Sequence, residues 1–176
     1  MEKLQYICGV TFAPFAPAGS FTKECTKESL RTMKERTNAN FVILVPNGLQ
    51  DTPQSEEICY TSAATMTGDE LKGMIEYAHS LGLRVALKPT ANCKNGTWRA
   101  HISFFDEDVV CEPKWGNWFA SYMEFQNHYA AFSQIVRMAP SGRFVAASII
   151  LAVTIGRIQT GECLQTKNTT DQNNSI

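Results

Sequence analysis

Two stretches decide the fold: Phe41-Val-Ile-Leu-Val45 and Leu83-Arg-Val-Ala-Leu-Lys-Pro89. The first is continuously apolar, rich in β-branched residues, and closed by Pro46. Unbroken rather than alternating hydrophobicity predicts a strand buried on both faces, as in a parallel sheet. The second reads as another strand, ended by Pro89. Between them Thr67-Gly-Asp-Glu70 forms a capping box: the threonine hydroxyl and the glutamate each satisfy a free amide donor. Leu71, Met74, Ile75, Ala78 and Leu81 follow at helical spacing, and Gly82 supplies a left-handed C-terminal residue. The stretch Asn47–Met66 reads as a polar loop.

Upstream, Ile7–Phe12 predicts a short buried strand, followed by a proline-rich loop over Ala13–Phe21. Lys23–Thr37 predicts a helix with Leu30 and Met33 on one face, and Asn38 is its terminator. Strand, helix, strand, helix, strand implies right-handed βαβ units on a parallel sheet, an α/β fold. Downstream, Thr90–Gly116 has no clear periodicity, and a loop of that length in a compact domain is usually functional. Trp118–Arg137 predicts a long helix with Trp118, Phe119, Tyr122, Phe125, Tyr129, Phe132 and Val136 at core spacing. Beyond it, Phe144–Ile155 reads as a fourth strand and Gly161–Ile176 as a polar, disordered tail.

The 176 residues carry a net charge of −1 and are 44% hydrophobic, which fits one globular domain. No basic footprint for nucleic acid or polybasic membrane patch is present. The longest apolar run, Phe144–Ile155, is too short to span a bilayer. Met1–Ala18 loosely mimics a signal peptide, but Glu2 and two prolines argue against one, so a cytoplasmic protein is expected. The six cysteines form no Cys-x-x-Cys pair and lie at no zinc-ligand spacing, nor do the three histidines make a metal motif. The cysteines read as reduced and mostly as packing residues. No metal or cofactor is expected.

In parallel α/β architectures ligands meet the carboxyl ends of the strands. Three such places are legible: Ala13–Phe21, then Asn47-Gly-Leu-Gln-Asp51 with Glu56 and Glu57, then the segment after Leu87. The last is the richest. Lys88, at the end of a strand expected to be buried, needs a partner. Asn92 offers paired donor and acceptor groups for sugar hydroxyls. Trp98 offers an apolar platform for a pyranose ring, Arg99 a forked donor, and His101 follows. The competing structural reading pairs Lys88 with a neighbouring carboxylate and uses Trp98 to plug a barrel rim; spacing leaves both open. A third reading makes Lys88 a Schiff-base lysine whose pKa burial would lower.

Gly9-Val-Thr-Phe-Ala-Pro-Phe15, Gln50-Asp-Thr-Pro-Gln-Ser55 and, above all, Leu87-Lys-Pro-Thr-Ala-Asn-Cys-Lys-Asn-Gly-Thr-Trp-Arg-Ala-His-Ile102 resemble glycoside hydrolase family 113, a resemblance covering roughly residues 5–135. Trp118-Phe-Ala-Ser-Tyr122 and His128-Tyr129 look like that family's third helix. The resemblance implies a (β/α)8 TIM barrel and retaining hydrolysis of β-1,4-mannan by two carboxyl groups about 5–5.5 Å apart. It places Lys88, Asn92, Trp98, Arg99 and His101 in a substrate-binding strand-3 loop, and the catalytic glutamates at the ends of strands 4 and 7. Such a barrel needs at least about 200 residues. No aspartate or glutamate lies between Glu124 and Glu162. The expectation is therefore a partial barrel of three to four βα units over residues 1–137, with an atypical tail over 138–176 from a frameshift or truncation. Such a chain would lack its catalytic residues and be inactive alone, acting on, or only binding, a β-mannan-like polysaccharide or oligosaccharide. An open sheet edge would favour self-association.

Overall fold

The computed structural model describes residues 6–13, 17–104, 114–132 and 135–136. The proposed fourth strand and the tail lie outside the described residues. In chain order the elements are β1 Gly9–Phe12, α1 Glu24–Thr37, β2 Phe41–Leu44, β3 Asn47–Gln50, α2 Gly68–Ser80, β4 Arg84–Leu87, β5 Thr90–Cys93, a 3-10 turn Arg99–His101, and α3 Trp115–Ala130. β1, β2 and β4 form a parallel sheet in that order, and β3 pairs parallel with β5.

β3 and β5 are strands where the sequence predicts loop. Their register explains them. Phe41 faces Arg84 in one ladder and Asn47 faces Thr90 in the other, the same spacing along both chains. The two ladders are thus one pairing interrupted where Pro46 stands opposite Pro89. Backbone bonds cross the interruption: Lys88 N–H donates to Leu44 O at 2.9 Å and Thr90 N–H to Pro46 O at 2.9 Å. In this pattern residue 46 would donate to the Lys88 carbonyl, but proline has no N–H. The Thr90 hydroxyl donates to that carbonyl instead, at 3.1 Å.

The core lies between this sheet and the helices. Val42, Leu44 and Val85 from the strands meet Leu30 of α1, Leu71, Met74, Ile75 and Ala78 of α2, and Phe125 and Tyr129 of α3. β1 departs from the buried strand expected of it. Gly9 and Thr11 are exposed and only Val10 and Phe12 pack inward, because β1 pairs on one side alone among the described residues.

Helix ends follow local chemistry. Asn38 closes α1 in the left-handed conformation at φ 51°. After α2, Gly82 takes φ 76°, and Leu83 N–H donates back to Ala78 O at 3.0 Å, the six-to-one bond of a Schellman motif. The capping box forms by half. Thr67 Oγ1 accepts from Glu70 N–H at 3.3 Å, but the Glu70 carboxylate accepts from Gly19 N–H at 2.5 Å, tying the loop after β1 to α2.

α3 begins three residues before the expected Trp118. Its own N-cap residue, Lys114, contributes no side-chain cap. Glu56, distant in sequence, supplies the acceptors: one oxygen takes Lys114 N–H at 2.6 Å and the other Asn117 Nδ2 at 2.5 Å. A carboxylate at a helix N-terminus also opposes the positive end of the helix dipole. The helix runs unbroken over Trp115–Ala130, a turn follows at 131–132, and 135–136 are again helical with Val136 in the core; the end expected at Arg137 lies outside the described residues.

Two outcomes are expected. A Cβ on Gly48 would meet Ile58 Cγ2 at 2.5 Å and Phe125 Cε2 at 2.9 Å, whereas one on Gly73 of α2 meets nothing within 4 Å. Gly48→Ala should lower stability in urea by about 1–3 kcal/mol, and Gly73→Ala should raise it by up to ~1 kcal/mol. The bonds from Asn117 and then Lys114 hold the Glu56 carboxyl below the ordinary glutamate range. Its stabilising contribution is therefore present above the unfolded-state pKa and lost as pH falls through the lower folded value. Melting temperatures of the wild type and Glu56→Gln should differ at neutral pH and converge in acid.

Candidate functional site

Side chains alternate across a strand, and two contacts fix which side is which. Gly48 lies against Phe125 of α3, and Gln50 Oε1 accepts from Trp118 Nε1 at 2.8 Å. Those residues face the helix layer. Asn47 and Leu49, with Thr90 and Asn92 opposite, face the other, concave side. Lys88 falls on that side too by alternation.

A chain of polar contacts runs along the concave side. Asn92 Nδ2 donates to Asn47 Oδ1 at 3.2 Å, and Arg99 Nη1 donates to Asn92 Oδ1 at 3.3 Å. Asn47 is 4% exposed, while Asn92 is half-buried and Arg99 exposed. At the carboxyl ends of β3 and β5, Lys94 Nζ donates to Asp51 Oδ1 at 2.7 Å. That ion pair joins the loops leaving the two strands, and the gain from such an exposed pair is small.

Trp98 stands 68% exposed beside this chain. His101 meets it edge-on, ring centroids 6.1 Å apart, and the 3-10 turn Arg99–His101 places the two residues together. An exposed indole carries an apolar face that water solvates poorly, next to forked and amide donors. That pairing suits a ligand with both C–H surface and hydroxyl groups.

The structure thus joins Asn92, Trp98, Arg99 and His101 in one neighbourhood, with Lys88 on the same sheet face. It corrects the premise about Lys88. The side chain is exposed rather than buried, and among the described residues it makes no ion pair. A carboxylate partner for it is therefore not seen, and the desolvation that a Schiff-base lysine requires is missing. Trp98 plugs no rim. The four cysteines among the described residues divide: Cys93 is buried and Cys59 half-buried, but Cys8 and Cys25 are exposed rather than packing residues, and these four are free thiols.

Asn47, Gln50 and Trp118 were not singled out for these roles. Gln50 is wholly buried and donates through Nε2 to Thr52 O at 2.7 Å while accepting from Trp118. It fixes the end of β3 to α3. Trp118 also stacks on Tyr122 at 5.0 Å between centroids. Of the acidic pair flagged after β2, Glu56 caps α3 and is not available for chemistry. No group of three or more potential metal ligands occurs among the described residues, and no helix there is long and apolar enough to cross a membrane.

Comparison with known proteins places most of the chain in a family. A family model described as Glycoside Hydrolase Family 113 matches residues 10–139. A solved GH113 beta-1,4-mannanase is 48% identical at a TM-score of 0.70, over 75% of this chain and 43% of its own. A complex structure of a GH113 beta-1,4-mannanase matches with the same values. The GH113 beta-mannanase AaManA from Alicyclobacillus acidocaldarius, in complex with ManMIm, is 36% identical at a TM-score of 0.68, over 76% of this chain and 42% of its own. The chain spans less than half the length of these structures. No curated protein matches it.

The two tryptophans separate experimentally. Trp98→Ala should change the unfolding free energy by less than about 0.5 kcal/mol, as at other exposed positions. Gln50→Leu strands the Trp118 indole N–H and should cost about 1–3 kcal/mol. Urea titrations of both variants make the comparison.

Proposed function

The chain belongs to glycoside hydrolase family 113, and from that membership we propose that it binds β-linked mannan-type oligosaccharides on the concave face at the ends of β3 and β5. The observation that carries this is the exposed Trp98 beside the Asn47–Asn92–Arg99 chain. The indole face takes the C–H surface of a sugar ring. The Asn92 amide and the Arg99 guanidinium donate to its hydroxyl oxygens, and Lys88 and His101 border the same surface. The solved relatives are mannanases, and two of them are complexes; a mannan-type ligand is the substrate class their descriptions suggest for this chain.

Retaining hydrolysis needs an acid/base and a nucleophile, two carboxyl groups about 5–5.5 Å apart. Family resemblance puts the first at the end of a fourth strand, yet the sequence from Phe125 to Gly161 holds no aspartate or glutamate. Glu56 is engaged as a helix cap, and Asp51 is paired with Lys94. We therefore assign this chain binding without turnover: the arrangement can hold and orient a sugar, and the stretch where the resemblance puts the acid/base carries no carboxylate to protonate the glycosidic oxygen.

Calorimetric titration with manno-oligosaccharides should give weak, saturable binding, weakened about tenfold by Trp98→Ala. Absence of heat at millimolar ligand would reject the reading. A reducing-sugar assay on β-mannan should show no turnover, and activity abolished by Glu162→Gln would overturn the assignment of binding alone.

A further inference from the structure

We infer that Asn47 is a positioning residue for this sugar site: it sets the polarity of the Asn92 amide and so decides which hydrogen-bonding groups the site presents. The inference rests on the functional reading above for its ligand, but its geometry stands independently.

The polarity is fixed from both ends. A guanidinium has donors only, so Arg99 requires the Asn92 oxygen to face it. The Asn92 NH2 group is then turned toward β3 and needs an acceptor there. Asn47 Oδ1 is that acceptor, at 3.2 Å. Were the Asn92 amide alone flipped, its nitrogen would oppose the Arg99 donors and its oxygen would oppose the Asn47 oxygen. Neither contact would survive.

Asn47 suits the role because the fold immobilises it. It directly follows Pro46, at the interruption of the ladder, and its backbone pairs with Thr90 in the β3–β5 register. It is buried beneath the more exposed groups that it orients. Asn92 carries a second N–H and Arg99 further guanidinium donors, so the chain presents a surface of donors. A pyranose hydroxyl oxygen accepts from such a surface; a ligand group that can only donate does not fit. A site of this kind discriminates through the loss incurred when a buried or oriented donor is left unpaired.

Leucine at position 47 removes the acceptor at similar volume, and aspartate retains it. The whole chain carrying Asn47→Leu or Asn47→Asp is compared with the wild type by two readouts: the 15N-edited resonances of the Asn92 side-chain amide and the affinity for manno-oligosaccharides. With Asn47→Leu, the Asn92 amide protons should collapse to solvent-averaged positions and affinity should fall about tenfold. With Asn47→Asp, the amide protons should move downfield toward the charged acceptor, and affinity should stay within about threefold. Unchanged Asn92 resonances and unchanged affinity in Asn47→Leu overturn the inference. If Asn47→Leu does not fold, Asn47→Asp decides: an Asn92 amide unmoved by the new charge overturns it, and a downfield shift supports it. If the wild type binds no sugar, the functional reading fails, and the Asn92 resonances alone decide whether Asn47 orients that amide.

Discussion

Pro46 and Pro89 stand opposite each other in one parallel pairing, and neither can donate to a ladder. Everything at the site depends on how the chain crosses that point. Backbone bonds from Lys88 and Thr90 keep the register on either side. The Thr90 hydroxyl fills the acceptor that Pro46 leaves bare. Gln126 of α3, buried beneath, directs its amide nitrogen to the Pro89 carbonyl at 3.5 Å, a long contact. Because register is preserved, alternation is preserved as well. Gly48 and Gln50 stay turned toward α3, and Asn47 and Asn92 toward the concave side. A slip of one residue would exchange the two sets, seating Asn47 against Phe125 and lifting the glycine into the site.

That constraint also explains what the sequence could disclose. Phe41–Leu44 was legible because an unbroken β-branched run has few other homes. α2 was legible because its cap, apolar spacing and terminal glycine agree. β3 and β5 were not. Asn-Gly-Leu-Gln and Thr-Ala-Asn-Cys have weak strand character, and each follows a proline, a local signal for a turn. They are extended because the preceding strands deliver them in register, a cause that propensity does not record. The early start of α3 was hidden for a similar reason, since its cap comes from Glu56, far upstream. At the site, the run from Lys88 to His101 was readable as a group through family resemblance. The burial of Asn47 and the exposure of Lys88 required knowing which face each strand residue occupies.

Two tryptophans of similar sequence context have opposite roles, and hydrogen bonding separates them. Trp118 buries much of its ring against Tyr122 and spends its N–H on Gln50, so it belongs to the scaffold. Trp98 leaves most of its ring to solvent, with His101 at its edge. Apolar surface of that size beside oriented polar groups is costly to leave wet, and a ligand that covers it recovers the difference.

The two faces of the sheet differ in completeness. On the helix side, Val42, Leu44, Val85 and the three helices form a filled core. On the concave side, Phe41, Val45 and Asn47 are buried, while Gly9, Thr11 and Lys88 are exposed. In a closed (β/α)8 barrel, side chains from alternate strands fill the interior in layers, and the loops at the carboxyl ends share one mouth. The described strands supply one wall of such an interior. A sugar on Trp98 and Arg99 would therefore be gripped from one side, with the groups that cleave it expected from the opposite wall. On the proposed reading, binding and cleavage are separable: the first would use the local chain of Asn47, Asn92 and Arg99, and retaining cleavage needs two carboxylates held at a fixed distance.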